Sequence, residues 1–293
     1  MVGKKKFSHK IFDYCNGILL VILMMSTLYP FLYVIFASLS DSDLLMAHKG
    51  MLLKPIGFSV EAYKAVLANP QIYSGYRNTI FVVIFGTIVN IVMTSMGAYV
   101  LSKKTFYFRS ALNTMVVITM FFSGGLIPNF LLVKGMGLYN SLWALIIPGA
   151  ISTWNLMIMR TSFEAIPESL IESAKIDGAS EFTVLFKIVI PLSMATIAVM
   201  TLWYGVGHWN AWFSAMIYLR KRELYPLQLI LREILISNNT DSMLMGESAG
   251  EKASISATII YATIMVATLP ILLVYPFLQK YFVKGVMVGA VKG

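Results

Sequence analysis

Six apolar stretches, each about as long as a bilayer is thick, decide what this chain folds into. A membrane-crossing helix needs about 20 mostly apolar residues. Runs of that length lie at roughly 14–37, 78–101, 110–132, 141–163, 192–215 and 256–279, separated by polar sequence. Lipid offers the backbone no hydrogen bonds, so such runs satisfy their own amides as helices. The expected fold is all-α: a polytopic membrane protein of six transmembrane helices, forming one domain over residues 1–293. The balance of residues agrees, with 58% hydrophobic and only 13% charged, against about a quarter charged in soluble domains. The apolar run from Gly17 to Ala37 exceeds the roughly 7–15 residues of a signal-peptide core, so it reads as an uncleaved first span.

Lys and Arg orient the spans. With the N-terminus in the cytoplasm, Lys4, Lys5, Lys6, Lys10, Lys103, Lys104, Arg109, Arg160, Lys175, Lys187, Lys280, Lys284 and Lys292 face inward, more than half of the 23 cations. That is the positive-inside bias. Both termini are then cytoplasmic, the long segments 38–77 and 216–255 face outward, and 164–191 faces inward. The net charge of +9 marks membrane-surface anchoring rather than nucleic-acid binding. In the outer segments, Phe58 to Ala68 reads as a short helix with Ser59 as N-cap and Glu61 in its first turn. Leu224 to Ile236 reads as a second helix, too short to span.

Several chemistries find no support. The single Cys15 allows no intrachain disulfide, and His9, His48 and His208 are far apart, without metal-ligand spacing. No phosphate-binding G-x-x-x-x-G-K-[ST] occurs, nor H-E-x-x-H. ATP hydrolysis and membrane-enzyme chemistry are therefore not expected of this chain. Ionisable residues deep in spans, which mark proton-coupled carriers, are nearly absent, with Arg160 and His208 near predicted span ends.

The inward segment between spans four and five is ordered in a way a mere linker need not be. Pro167 and Glu168 suit a first helical turn. Pro167, Leu170, Ile171 and Ala174 share a helical face. Asp177-Gly178 breaks that helix, and Ser180 is a plausible N-cap for a second, whose apolar face is Phe182, Leu185, Phe186 and Val189. Periodicity leaves two readings: an interfacial linker, or a compact knob that fits a groove on another protein.

Specific residues add a resemblance. Glu172-Ser173-Ala174, three residues, Gly178, nine residues, then Ile188 and Ile190-Pro191 resembles the EAA motif of ABC-importer permeases, E-A-A-x3-G-x9-I-x-L-P. Ser173 replaces the middle Ala and Ile190 the Leu. The run Ile176-Asp177-Gly178-Ala179 resembles the sugar-uptake branch. Asn78-Thr79, Ala98 to Lys104, Gly124 to Ala150 and the ending QKYFVKGVMVGAVKG extend the likeness to maltose-type permeases over nearly the whole chain. The resemblance implies that Glu172, Ser173, Ala174, Asp177, Gly178, Ala179, Phe182, Ile188 and Pro191 dock a separate ATPase subunit. It also implies a second permease that is a different chain, two ATPase subunits that bind ATP and Mg, an extracytoplasmic sugar-binding protein, and a bacterial plasma-membrane location. The glycine-rich tail is either a frayed end or, as in maltose-type permeases, a contact with the ATPase.

Trp203, Tyr204, Trp209, Asn210 and Trp212 cluster near the outer end of span five, beside His208 and Phe213. They form either an aromatic belt at headgroup level or a sugar platform on the translocation path. Rival readings of the whole chain are a secondary carrier, a non-transport scaffold and an ABC permease for a non-sugar solute.

Overall fold

The computed structural model describes residues 7–237 and 258–273. Among them the secondary structure is helical, with a lone bridge between Ser40 and Phe58. The described helices are α1 (Phe7–Ser38), α2 (Ser42–Ala47), α3 (Glu61–Ala68), α4 (Pro70–Ser102), α5 (Arg109–Phe121), α6 (Leu126–Gly135), α7 (Thr153–Glu164), α8 (Glu168–Ile176), α9 (Glu181–Leu192), α10 (Met194–Asn210), α11 (Phe213–Tyr218), α12 (Leu227–Ser237) and α13 (Thr258–Leu273). Two of them, α1 and α4, are long and apolar enough to cross a bilayer alone.

The other expected spans are not straight rods. The run 110–132 becomes α5 and α6, bent by 116°. The bend falls at Ser123-Gly124-Gly125, where Gly125 takes φ +82° and its N–H binds Ser123 Oγ at 3.3 Å. The run 141–163 becomes two short 3₁₀ turns over Leu142–Gly149 followed by α7, bent by 50°. The fifth run, 192–215, opens at an 87° bend between α9, which precedes it, and α10, beside the buried Ser193. Each bent pair is apolar enough for one crossing when its halves are taken together. The chain continues beyond α13 outside the described residues, as does the glycine-rich tail.

Cα proximity divides the chain into two units: residues 1–69 with 233–269, and 70–232 with 270–293. In the first, α1 leaves Ile11 to Leu28 exposed, as lipid-facing sequence should be, and buries Ala37 with Leu45 and Leu52. Tyr29 accepts from Leu52 N–H at 3.1 Å, and Ser38 meets the Tyr63 hydroxyl at 2.8 Å. The helix expected from Phe58 starts only at Glu61, with Ser59 Oγ accepting from Glu61 N–H at 3.3 Å.

In the second unit, α7 and α10 pack on α4. The facing stripe of α4 carries Gly86, Asn90, Thr94 and Ala98, small or polar residues four apart, which let helix backbones approach within lipid. Around the stripe, Leu156, Met159 and Phe163 of α7 and Ile197, Met200 and Tyr204 of α10 form one buried core that continues into Val184, Leu185 and Val189 of α9. The helix expected to open at Asn78 begins eight residues earlier. Asn78 instead ties the outer segment down, donating to the Glu223 and Tyr225 carbonyls at 2.7 and 3.1 Å, while Thr79 Oγ1 accepts from Leu227 N–H at 2.9 Å.

Candidate functional site

The segment between α7 and α10 folds as two short helices around a sharp elbow. Helix α8 ends in a Schellman motif: Ala179 N–H reaches the Ala174 carbonyl at 2.9 Å and Gly178 N–H the Lys175 carbonyl at 3.0 Å. The motif needs a left-handed residue, and Gly178 supplies it at φ +81°. A Cβ built there meets nothing within 4 Å. Backbone conformation, rather than crowding from its own chain, therefore selects glycine. Ala174 and Ala179 pack partly against the core and close the elbow. Ser180 then caps α9, its Oγ accepting from Thr183 N–H at 3.3 Å.

One half of the expected α9 face is corrected. Leu185 and Val189 are buried, but Phe182 is 63% exposed and Phe186 is exposed too, while Val184 takes their place inside. Leu185–Val189 is a π-helical turn, so Val184 and Val189, five apart, come onto one face. A pattern sought at 3.6 residues per turn misses that register. The displaced side chains enlarge the outer surface of the knob, where Leu170, Ile176 (86% exposed), Phe182 and Phe186 meet no core. Ser173, Asp177, Ile188 and Pro191, with Leu170, Ala174, Lys187 and Leu192, line an open groove of about 450 Å³ between the two helices. Glu172 lies on the other side, lining a cavity of about 140 Å³ with Lys103, Lys104 and Lys175.

Glu181 pins this knob to α4. Its carboxylate pairs with Lys103, accepts from the Tyr99 hydroxyl at 2.6 Å and pairs with Lys175 at 3.1 Å. Lys103 also lies 4.4 Å from the centre of the Tyr99 ring. The bond from Lys103, then that from Tyr99, outweighs burial and holds the Glu181 carboxyl down to about 2, against an ordinary 4.5. Glu168 pairs with Lys104 at 3.4 Å, and Glu164 is shared by Arg109 and Arg160. These contacts join the base of α4, the start of α5, the end of α7 and both knob helices. A depressed carboxylate stabilises above its unfolded value and loses that contribution as pH falls toward its folded one. The clamp is thus expected to hold at neutral pH and to loosen as pH drops from 4.5 toward 2. Glu181→Gln should reproduce the loosening at neutral pH, by about 1 kcal/mol or less because the group is half exposed. Hydrogen exchange of the α8 and α9 amides measures both; unchanged exchange in the variant would remove Glu181 from its role.

A second polar cluster lies beside the midpoint of α4 and was missed from sequence. His208 lies in the last turn of α10, where its ring packs on Gly86 and its Nε2 lies 2.6 Å from Asn90 Oδ1. Asn90 Nδ2 donates to the Gly149 and Ala150 carbonyls at 2.7 and 2.9 Å. Both amide hydrogens are thereby used, so Oδ1 is the acceptor and His208 Nε2 the donor. The break before α7 frees those carbonyls from helical partners, and Asn90 replaces the lost bonds. One turn further along α4, the Tyr204 hydroxyl meets Thr94 Oγ1 at 2.8 Å and accepts from Ser152 N–H at 3.1 Å. Polar residues at positions 90 and 94, four apart in an apolar run, were the available signal.

The aromatic candidates do not converge. Tyr204 is inside the helix packing, Trp203 lies exposed, and Asn210 ends α10 in an exposed position. Trp209 meets Tyr76 edge-on at 6.3 Å, and Trp212 sits under Arg232, 3.9 Å from ring centre to guanidinium.

A family model described as "Binding-protein-dependent transport system inner membrane component" matches residues 18–288. The polygalacturonan/rhamnogalacturonan transport system permease protein YtcP of Bacillus subtilis (strain 168) is 43% identical over 94% of this chain and 96% of its own. Protein LplC of the same organism is 40% identical over 97% and 96%. A chain in the crystal structure of a bacterial ABC transporter involved in the import of the acidic polysaccharide alginate superposes with TM-score 0.87, at 31% identity, covering 96% of this chain and all of that one.

Proposed function

Because the chain belongs to the family of binding-protein-dependent transport system inner membrane components, we propose that it is a permease subunit of an ATP-driven importer of sugars or oligosaccharides in a bacterial plasma membrane. Its relatives' names support the carbohydrate class. Residues 1–293 form one six-span domain with both termini cytoplasmic; the α5–α6 pair and the 3₁₀ turns with α7 each count as one crossing, and α10 supplies the fifth while α9 stays in the knob. The chain makes half of the translocation path, and a second permease, a different chain, makes the other half. Two separate ATPase subunits hold ATP and Mg, and an extracytoplasmic binding protein delivers the saccharide.

One observation carries the coupling role. The elbow at Gly178 projects exposed apolar side chains away from the core while Glu181 holds its base to α4. An apolar knob fixed on a rigid stem suits a groove on a partner. ATP-driven closure of the ATPase pair then moves α8 and α9, and α4, α7 and α10 follow through the shared core and hydrogen bonds. Coupling of this kind requires an element that both sites bias, and the knob with its three helices is that element.

Reconstitution tests the reading. Proteoliposomes holding this chain with its partner permease, ATPase subunits and binding protein should take up labelled oligosaccharide only with ATP inside the nucleotide-facing compartment. Uptake by this chain without ATPase subunits, driven by an ion gradient, would instead make it a secondary carrier.

A further inference from the structure

The coupling role leaves unused three cations on and beside α11 and α12. Arg232 is held over the Trp212 ring, and its Nη1 donates to Met216 Sδ at 3.0 Å. A thioether is a weak acceptor, so most of the five guanidinium N–H groups remain available. Arg220 and Lys221 are exposed just beyond α11. Their backbone N–H groups both bind Asn140 Oδ1, at 3.0 and 3.1 Å. Asn140 takes φ +59°, rare for a residue with a side chain, and donates its own N–H to the Tyr218 carbonyl at 2.8 Å. The dibasic turn is therefore built rather than frayed.

Among the described residues, none of these three side chains pairs with a carboxylate, whereas Glu164, Glu168 and Glu181 neutralise the cations around the knob. In the proposed topology these cations face outward, where membrane proteins ordinarily carry fewer Lys and Arg. A guanidinium held in fixed geometry there, beside exposed cations on a fixed backbone turn, suits an arriving anion. An arginine fork matches a carboxylate in two parallel hydrogen bonds, and a ring beneath it limits the orientations it must give up on binding.

We propose that Arg220, Lys221 and Arg232 form a receiving site for a uronate-bearing oligosaccharide, a sugar chain that presents carboxylates. The site rests on the reading of the chain as a saccharide permease and narrows its substrate class. Relatives named for polygalacturonan and for the acidic polysaccharide alginate match nearly the whole chain, which favours sugar carboxylates over other anions. Trp212 supports the guanidinium in this site instead of stacking on sugar.

The test uses the assembled transporter in neutral-lipid nanodiscs, without binding protein, and two probes: trigalacturonate and the neutral galactotriose of the same linkage. Wild type should bind the charged trisaccharide about 10-fold more tightly than the neutral one, as charge-assisted hydrogen bonds allow, with salt eroding the preference. Arg232→Gln and the double variant Arg220→Gln, Lys221→Gln should each lose most of that preference with galactotriose binding unchanged. Arg232→Lys, which keeps charge without the fork, should fall between. Equal binding of both probes by wild type, or a preference that survives in both Gln variants, overturns the site. So does an effect seen only with anionic lipid, or one on binding-protein docking alone. Subunit recovery equal to wild type checks that the variants assemble. If wild type with its binding protein and ATP imports no saccharide, the permease reading fails first, which the uptake assay shows separately.

Discussion

Gly178→Trp should release the ATPase subunit from detergent-extracted complexes and cut ATP-driven uptake by about 10-fold or more, the effect of forcing an indole into a close-packed contact. The chain should still insert and keep its fold, because space around the Gly178 Cα is open on its own side. The φ of +81° adds a separate cost of about 1–2 kcal/mol for any residue with a Cβ. Gly178→Asn distinguishes the two effects, since asparagine tolerates the left-handed conformation. Transport retained in the Asn variant and lost in the Trp variant assigns the loss to bulk at a docking surface. Retention of the ATPase by the Trp variant, measured by co-purification, would show that the elbow does not dock.

The second large effect is expected inside the membrane. Asn90→Leu removes three hydrogen bonds at once and leaves the Gly149 and Ala150 carbonyls and His208 without their partner. Each buried polar group left unpaired costs about 1–3 kcal/mol, and measured side-chain bonds between membrane helices are weaker, about 0.6–1.7 kcal/mol. A total loss of roughly 2–5 kcal/mol follows from those ranges, visible as a lower Tm and as proteolysis at the break before α7. Gly86→Val should act similarly from the opposite side, because a Cβ there falls 2.5 Å from His208 Nε2. Wild-type stability in both variants would reduce the cluster to incidental packing.

Much of the helical pattern was legible in the sequence because span length and the Gly178 signal rest on local rules. The break at Asp177-Gly178 and the cap at Ser180 fall where residue types place them. The bends were not legible. Ser123-Gly124-Gly125 and Ser193 sit within or beside runs whose hydropathy reads straight through them, since hydropathy reports depth and not direction. Phe182 and Phe186 read as sharing one face with Leu185 and Val189, because the π turn at Leu185–Val189 changes the helical period without any residue that announces it. The Glu181 clamp was hidden for another reason: Tyr99 and Lys103 lie about 80 positions away in sequence, and only folding brings them within reach. The aromatic residues of α10 show the limit of clustering in sequence, since neighbours on one helix point in several directions.

The right angle at Ser193 has a mechanical meaning. Helices α9 and α10 are the arms of a bell crank, of about 18 and 26 Å at 1.5 Å per residue. A crank transmits motion only if its angle stays fixed. Here Glu181 braces one arm to α4 through Tyr99, and His208 braces the other through Asn90. In the proposed coupling, a sideways displacement at the Glu181 end would emerge at the Asn210 end turned through 87° and enlarged by about the ratio of the arms.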